Sequence, residues 1–248
     1  MTNNLHSNRA GKQTTGMSVP ARLYIGAVIA AGTLVLATFA PRELAQPMLA
    51  ATFLAAMIVV SLFKLRLPLG DGQSTMSMAY VVDFAVIATA GTDLAMAIAA
   101  VGTIVQCTVN VRRRQPWYRT AFSVATIALS VRTAGLVWAA FGGEAASGFG
   151  AALPLVAAAV PYFAINTGLV AAAIAMSNRT STLRTWSQHF LGTAPSVFAA
   201  ALVVAIVEVA MTPDAYLLLV AAAVPMALCH MAYSIWFRKL ASTNPLTA

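Results

Sequence analysis

Five of the polar side chains that fall inside otherwise apolar stretches are the residues of this sequence best suited to do chemistry. They are Tyr80, Asp83, Arg132, Asn166 and His230. An ionisable group inside the hydrocarbon of a membrane is expensive and usually serves a function. A phenol, a carboxylate, a guanidinium, an amide and an imidazole together could hold a small polar molecule. We therefore predict a ligand-binding pocket built from these five residues.

A purely structural role is the alternative for the same side chains. Asp83 lies seven residues or so into its apolar stretch, which at 1.5 Å per residue is about 10 Å of depth. Arg132 lies near the middle of its own stretch, at a depth that an arginine side chain can bridge. Asp83 and Arg132 could therefore form an ion pair, with Asn166 and His230 making hydrogen bonds between helices.

No spacing in the sequence resembles a catalytic triad or a proton relay. His-Glu-x-x-His and Cys-x-x-Cys are both absent. Cys107 and Cys229 each fall in an apolar stretch, and we interpret them as small buried residues rather than a metal site or a disulfide. We therefore expect no catalytic residue, no metal ligand and no cofactor, and we predict that the protein is not an enzyme.

The composition shows what kind of element must position these residues. Of the 248 residues, 60% are hydrophobic and 9% are charged, whereas about 25% of the residues of a soluble domain are charged. Such a composition suits lipid. The net charge of +8 fits a membrane protein with basic cytoplasmic loops, so we predict no nucleic-acid partner.

Apolar stretches near membrane-spanning length recur along the whole chain. A helix needs about 20 residues to cross a bilayer. The predicted fold class is therefore all-α, a polytopic transmembrane helix bundle of about eight helices. The predicted spans are 21–39, 47–63, 76–92, 93–109, 119–141, 152–177, 190–211 and 215–237. The spans 76–92 and 93–109 meet at the turn Gly91-Thr92-Asp93 and could instead form a shallow hairpin.

The distribution of basic residues predicts the orientation. With the N-terminus in the cytoplasm, 13 of the 15 lysines and arginines fall in cytoplasmic segments or at the cytoplasmic ends of spans, and only Arg42 falls in an outer loop. Basic residues collect on the cytoplasmic side of membrane proteins. We predict a multi-pass protein of the bacterial inner membrane with both ends inside. Its single transmembrane domain covers 19–238, between a polar tail, 1–18, and a short tail, 239–248.

Two predicted cytoplasmic connections carry basic groups suited to the membrane surface. Residues 64–75 break at Pro68 and form either an interfacial turn or a lid folded into the bundle. The second connection sets arginines beside Trp117 and Tyr118, as a membrane interface favours. We predict contacts with the lipid bilayer by Lys64, Arg66, Arg112, Arg113, Arg114 and Arg119.

A family resemblance rests on residues 63–138. This stretch contains FKLRLPLGDGQSTMSMAYVVDFAVIATAGTDLAMAIAAVGTIVQC, RRRQPWYRTAFSVA and TAGLVW. It resembles the N-terminal integral-membrane region that precedes HD-GYP or GGDEF domains in bacterial cyclic-dinucleotide signalling proteins. The resemblance implies a multi-helix sensory or anchoring module, with a fold like the substrate-binding subunits of energy-coupling-factor vitamin transporters. An output domain follows the last helix in that family, whereas this sequence runs to Ala248, so the resemblance implies either a stand-alone relative or a sensor that works through a separate partner.

The predicted function is therefore an integral-membrane sensory or small-molecule-binding module without a catalytic domain. Its expected partners are the bilayer, a small-molecule ligand, and a cytoplasmic or membrane protein. The alternative function is a transporter, or the substrate-binding subunit of a small-molecule uptake system.

Overall fold

The structure is a computed structural model and describes residues 18–62, 65–66, 75–76, 78–109, 116–146 and 148–210. These residues are almost entirely helical. The α-helices of the described part are α1 (Val19–Phe39), α2 (Pro47–Leu62), α3 (Tyr80–Ala90), α4 (Thr92–Thr108), α5 (Trp117–Ala140), α6 (Ala152–Asn178), α7 (Thr182–His189) and α8 (Ala194–Ala210). Short 3-10 turns lie at Gly143–Ala145, Gly148–Ala151 and Leu191–Thr193.

Two short strands precede α3 and shorten it relative to the prediction. β1 (Leu65–Arg66) pairs antiparallel with β2 (Thr75–Met76). Because Thr75 and Met76 belong to this ladder, α3 begins at Tyr80 and not at residue 76. The bounds of α1, α2, α4, α5 and α6 lie within two residues or so of the predicted spans. The helix α7 was not predicted as a separate element, and the predicted span 215–237 lies outside the described residues.

Among the described residues, four helical segments are long and apolar enough to cross a membrane. They are α1, α5, α6 and the segment Thr182–Val207, which runs through α7 into α8. The helices α2, α3 and α4 are apolar but shorter. Large apolar side chains such as Leu23, Leu136 and Leu153 are exposed on the long helices, as a lipid-facing surface requires. These features define a membrane-associated helical protein.

The helix α3 is buried on all of its sides. Every residue from Tyr80 to Ile87 is buried, and α2, α4 and α8 pack around the helix. Its 11 residues measure about 16 Å at 1.5 Å per residue, well short of the roughly 30 Å of hydrocarbon in a bilayer. By itself α3 is therefore too short to span. It ends at Gly91, whose φ of 89° lies in the left-handed region that favours glycine.

Small residues let α5 approach two neighbours closely. A Cβ built on Gly32 of α1 would lie 2.4 Å from Cα of Ala125. A Cβ built on Gly135 of α5 would lie 2.1 Å from Oγ1 of Thr92 at the start of α4. Because the hydrophobic effect does not drive helices together in lipid, the van der Waals contacts of such close backbone packing hold them together. The small residues of α5 thus fix the positions of α1 and of the α3–α4 turn.

A large side chain at position 32 should push α1 away from α5. We expect Gly32→Leu to lower the free energy of unfolding by about 1–3 kcal/mol, the usual cost of overpacking. The matched control is Gly26→Leu on the same helix, because a Cβ there would meet nothing within 4 Å. Thermal unfolding of the purified proteins in detergent compares them. Equal unfolding temperatures for the two variants would contradict the described contact between α1 and α5.

Candidate functional site

Asp83 lies in the first turn of α3, enclosed by the bundle. The residue is 1% exposed, and Met78, just before the helix, is equally buried. The unpaired N–H groups of a helix N-terminus carry a partial positive charge that favours a carboxylate. A carboxyl group therefore sits in the apolar interior at the end of α3 that stabilises its charged form.

A tyrosine of α6 provides the one described hydrogen bond to this carboxyl group. The Tyr162 hydroxyl donates to Oδ2 of Asp83 over 2.6 Å. The ring of Phe84 packs against the Tyr162 ring with the centroids 5.1 Å apart, which fixes the direction of the phenol. Oδ1 of Asp83 is buried and has no hydrogen-bond partner among the described residues. The carboxyl group is thus only half satisfied by the described part of the chain.

Tyr80 extends the cluster towards α8. It precedes Asp83 by three residues and therefore shares its side of α3. Its buried hydroxyl contacts Sδ of Met78 and lies beside the side chain of Ser196. Three helices, α3, α6 and α8, therefore meet at one cluster. We name it the polar centre and define it as Tyr80, Asp83, Tyr162 and Ser196.

The structure brings two of the five predicted pocket residues, Tyr80 and Asp83, into the polar centre. Asn166 is half-buried on α6, one helical turn beyond Tyr162, and His230 lies outside the described residues. The predicted pocket did not include Tyr162, although its position one turn from Asn166 was a usable signal. Ser196 carries no such signal, because a serine near a helix start is commonplace.

The predicted Asp83–Arg132 ion pair is wrong. Nη1 of Arg132 donates to Oδ1 of Asp93 over 2.9 Å, and the guanidinium carbon lies 3.6 Å from the centroid of the Phe39 ring. The physical reason is the close approach of Gly135 to Thr92, which brings the first turn of α4 against α5. Asp93 is therefore nearer to Arg132 than the more deeply buried carboxylate is, and Arg132 does not belong to the polar centre.

A surface pocket of about 290 Å³ lies next to this ion pair. The α1–α2 connection and the α3–α4 turn line it, with carboxylates from Glu43 and Asp93. The side chains of Arg132 and Asp93 are 23% and 52% exposed, so solvent screens their attraction and the pair contributes at most about 1 kcal/mol. This pocket therefore marks one end of the bundle, apart from the buried carboxylate.

The structure describes only some of the residues predicted to lie at the membrane interface. Arg119 is exposed in the first turn of α5, and Arg66 belongs to β1, where its side chain is not described. The other predicted interface residues lie outside the described residues: Lys64, Arg112, Arg113 and Arg114. Within the described ranges, no three His, Cys, Asp or Glu side chains are grouped closely enough to hold a metal ion.

Apolar helices enclosing a carboxylate–phenol pair define a membrane-associated helical protein with a buried polar centre. The sequence profile of the MASE9 family matches residues 34–236, and the chain belongs to that family. MASE domains are membrane-associated sensory domains, which confirms the predicted membrane sensor region. Nothing in this comparison supports the transporter alternative. No curated protein and no solved structure matches the chain, so the likeness to energy-coupling-factor subunits stays a prediction.

Removal of the Tyr162 hydroxyl should leave the buried carboxylate without its described donor. We expect Tyr162→Phe to lower the free energy of unfolding by about 1–3 kcal/mol, the cost of an unsatisfied buried group. Tyr24→Phe is the matched control, because the half-buried Tyr24 hydroxyl donates to a backbone carbonyl, that of Leu169, over 3.1 Å. Denaturant unfolding in detergent measures both. A larger loss for Tyr24→Phe than for Tyr162→Phe would contradict the importance of the Asp83 hydrogen bond.

Proposed function

We propose that this protein is a sensory module of the bacterial inner membrane that binds a small ligand at the polar centre. In this proposal it has no catalytic activity of its own and passes its signal to a separate protein partner. The chain crosses the membrane about eight times with both ends in the cytoplasm, as its basic residues favour. Membership of a family of sensory domains supports the general function. The carboxyl group of Asp83, which has a hydrogen-bond partner on only one oxygen in the described part of the chain, supports the binding of a ligand at the polar centre.

An intramembrane carboxylate is a functional-site hypothesis by default, because burying it is costly. Tyr162 satisfies one of its oxygens, and the other has no partner in the described part of the chain. A ligand that donates a hydrogen bond or carries positive charge would complete the site. Binding would then change the forces acting on the helices that meet at the polar centre.

A chain of contacts on α6 connects Tyr162 to the surface helix α7. Phe163, the next residue, packs against the ring of Trp186 with the centroids 5.9 Å apart. The indole N–H of Trp186 donates to Oγ1 of Thr167 over 2.8 Å. Because Trp186 belongs to α7, this helix is attached to the same stretch of α6 that contacts Asp83. Displacement of that stretch of α6 would therefore move α7 as well.

The position of Pro161 makes such a displacement inexpensive. Pro161 lies inside α6, immediately before Tyr162. A proline lacks the N–H that would donate to the carbonyl four residues earlier, so helices bend readily at this position. A change in the interactions of Tyr162 would therefore act next to the position where α6 bends most readily.

The helix α7 offers a surface to the partner. Thr185 is buried while Leu183, Arg184 and Ser187 are exposed, so the helix has one side on the bundle and one free. It packs on α6 and precedes α8 in the chain, and both of these helices contribute to the polar centre. In the proposed orientation α7 lies on the cytoplasmic side, where a signalling partner would reach it.

The proposal is tested by asking whether Asp83 controls the exposure of α7. Ser187→Cys in a Cys107→Ala/Cys229→Ala background gives a single cysteine on the exposed side of α7. We expect Asp83→Asn to change its rate of labelling by a membrane-impermeant maleimide about fivefold or more, the scale of ordinary coupling between sites. Inverted membrane vesicles present the cytoplasmic side to the reagent.

The matched control is Asp93→Asn, which makes the same chemical change at a half-exposed carboxylate. It should leave the labelling rate of Ser187→Cys as it is in the parent. An equal rate in the parent and in both variants would show that Asp83 is not coupled to α7. Labelling from the opposite side of the membrane only would overturn the proposed orientation.

A further inference from the structure

We infer that the polar centre binds a small monovalent cation, with Oδ1 of Asp83 as its carboxylate ligand. This inference rests on the proposed function and names the class of ligand that the sensory site takes. Oδ1 is the observation that points to a ligand, since it belongs to a carboxyl group that is 1% exposed and has no hydrogen-bond partner in the described part of the chain.

Two features of the site favour the ionised form of Asp83. The Tyr162 hydroxyl donates to Oδ2 over 2.6 Å, and a hydrogen bond from a hydroxyl is stronger to a carboxylate than to a neutral acceptor. The location in the first turn of α3 adds the favourable field of the helix N-terminus. The negative charge is therefore supported locally, but it is not neutralised.

The described helices around Asp83 carry no cationic side chain that could neutralise it. The helices α2, α3, α4, α6 and α8 contain no Lys, Arg or His residue. Their other ionisable groups are Tyr80, Tyr162, Asp93, Cys107 and Glu208, none of which is a cation. Arg132 on α5 is already paired with Asp93. A buried charge without a partner costs several kcal/mol, on the order of the whole stability of a domain.

Protonation alone does not complete the site. A proton on Oδ1 would create a buried O–H donor, and no described acceptor lies within hydrogen-bond distance of that atom. A cation instead neutralises the charge and uses the free oxygen. The hydroxyl groups of Tyr80 and Ser196, which belong to the same centre, supply the kind of oxygen ligand that hard cations prefer.

The charge and the packing of the centre restrict the cation to a small, singly charged one. One carboxylate balances one positive charge, and no second acidic residue belongs to the centre. The neighbouring side chains Val82, Phe84 and Val86 are at most 3% exposed, so the surroundings of the carboxyl group are closely packed, which disfavours an organic molecule as the ligand. Sodium, lithium and potassium ions are the probes that follow, with protons as competitors for the same oxygen.

The experiment measures the unfolding temperature of the full chain in detergent at constant ionic strength. Sodium, lithium or potassium chloride replaces N-methylglucamine chloride at pH 8 and at pH 5. We expect one of the three ions to raise the unfolding temperature saturably at pH 8, by about 5 °C at a concentration far above Kd. The rise should shrink at pH 5, because protons then occupy the carboxylate.

Three variants decide the origin of the effect. Asp83→Asn should abolish the rise, and Asp93→Asn should retain it. Tyr162→Phe keeps the carboxylate but removes its hydroxyl partner, and we expect its apparent Kd to change about tenfold; it also tests the site if Asp83→Asn does not fold. The inference would be overturned if none of the three ions changed the unfolding temperature of the parent protein. An equal rise in the unfolding temperature of Asp83→Asn would also overturn it. If Asp83→Asn still alters the labelling of α7 in that case, the sensory proposal stands and only the cation is wrong.

Discussion

The hydrogen bond from Tyr162 to Asp83 is the interaction on which the rest of the structure depends. A carboxyl group that is removed from water must find partners inside the protein, and this one finds its partner on α6, 79 residues further along the chain. The bond requires the first turn of α3 to lie deep in the bundle, within side-chain reach of Tyr162 on α6. The short length of α3, its burial on all sides and its turn at Gly91 are the means of placing that carboxyl group.

Packing around α3 follows from residue size more than from polarity. Lipid is as apolar as the helices themselves, so contact between helices is favoured where backbones come close. Gly32 and Ala125 provide one such contact, and Gly135 and Thr92 provide another. The second also determines which acid Arg132 meets, because it places Asp93 beside α5. Steric fit between the helices therefore determines that Arg132 pairs with Asp93, and the Coulomb attraction between the two side chains acts within that arrangement.

Composition and periodicity predicted the helices well and their contacts poorly. Apolar length alone placed α1, α5 and α6, because those helices have one role, to be long and apolar. The start of α3 could not be predicted in this way, since Met76 is as apolar as the helix that follows but pairs with Leu65 of β1 instead. Asp83 stood out because a charge in an apolar stretch is rare. Its partner Tyr162 stood out less, because its one signal was its position a turn from Asn166, and the side-chain contacts with Asp83 and Phe84 that reveal its role depend on the tertiary structure.

The relative sizes of the polar interactions show which of them is fit to carry a signal. A buried hydrogen bond to a charged group is worth about 1.5–3 kcal/mol, and coupling between distant sites in proteins is typically about 1–3 kcal/mol. Making or losing one bond at Asp83 is therefore enough to bias the position of α6. The exposed Arg132–Asp93 pair, at about 0–1 kcal/mol, is too weak to do so. Because Phe163 and Thr167 attach α7 to the same part of α6, the proposed signal would pass from the polar centre to α7 through adjacent turns of one helix, without any long-range pathway.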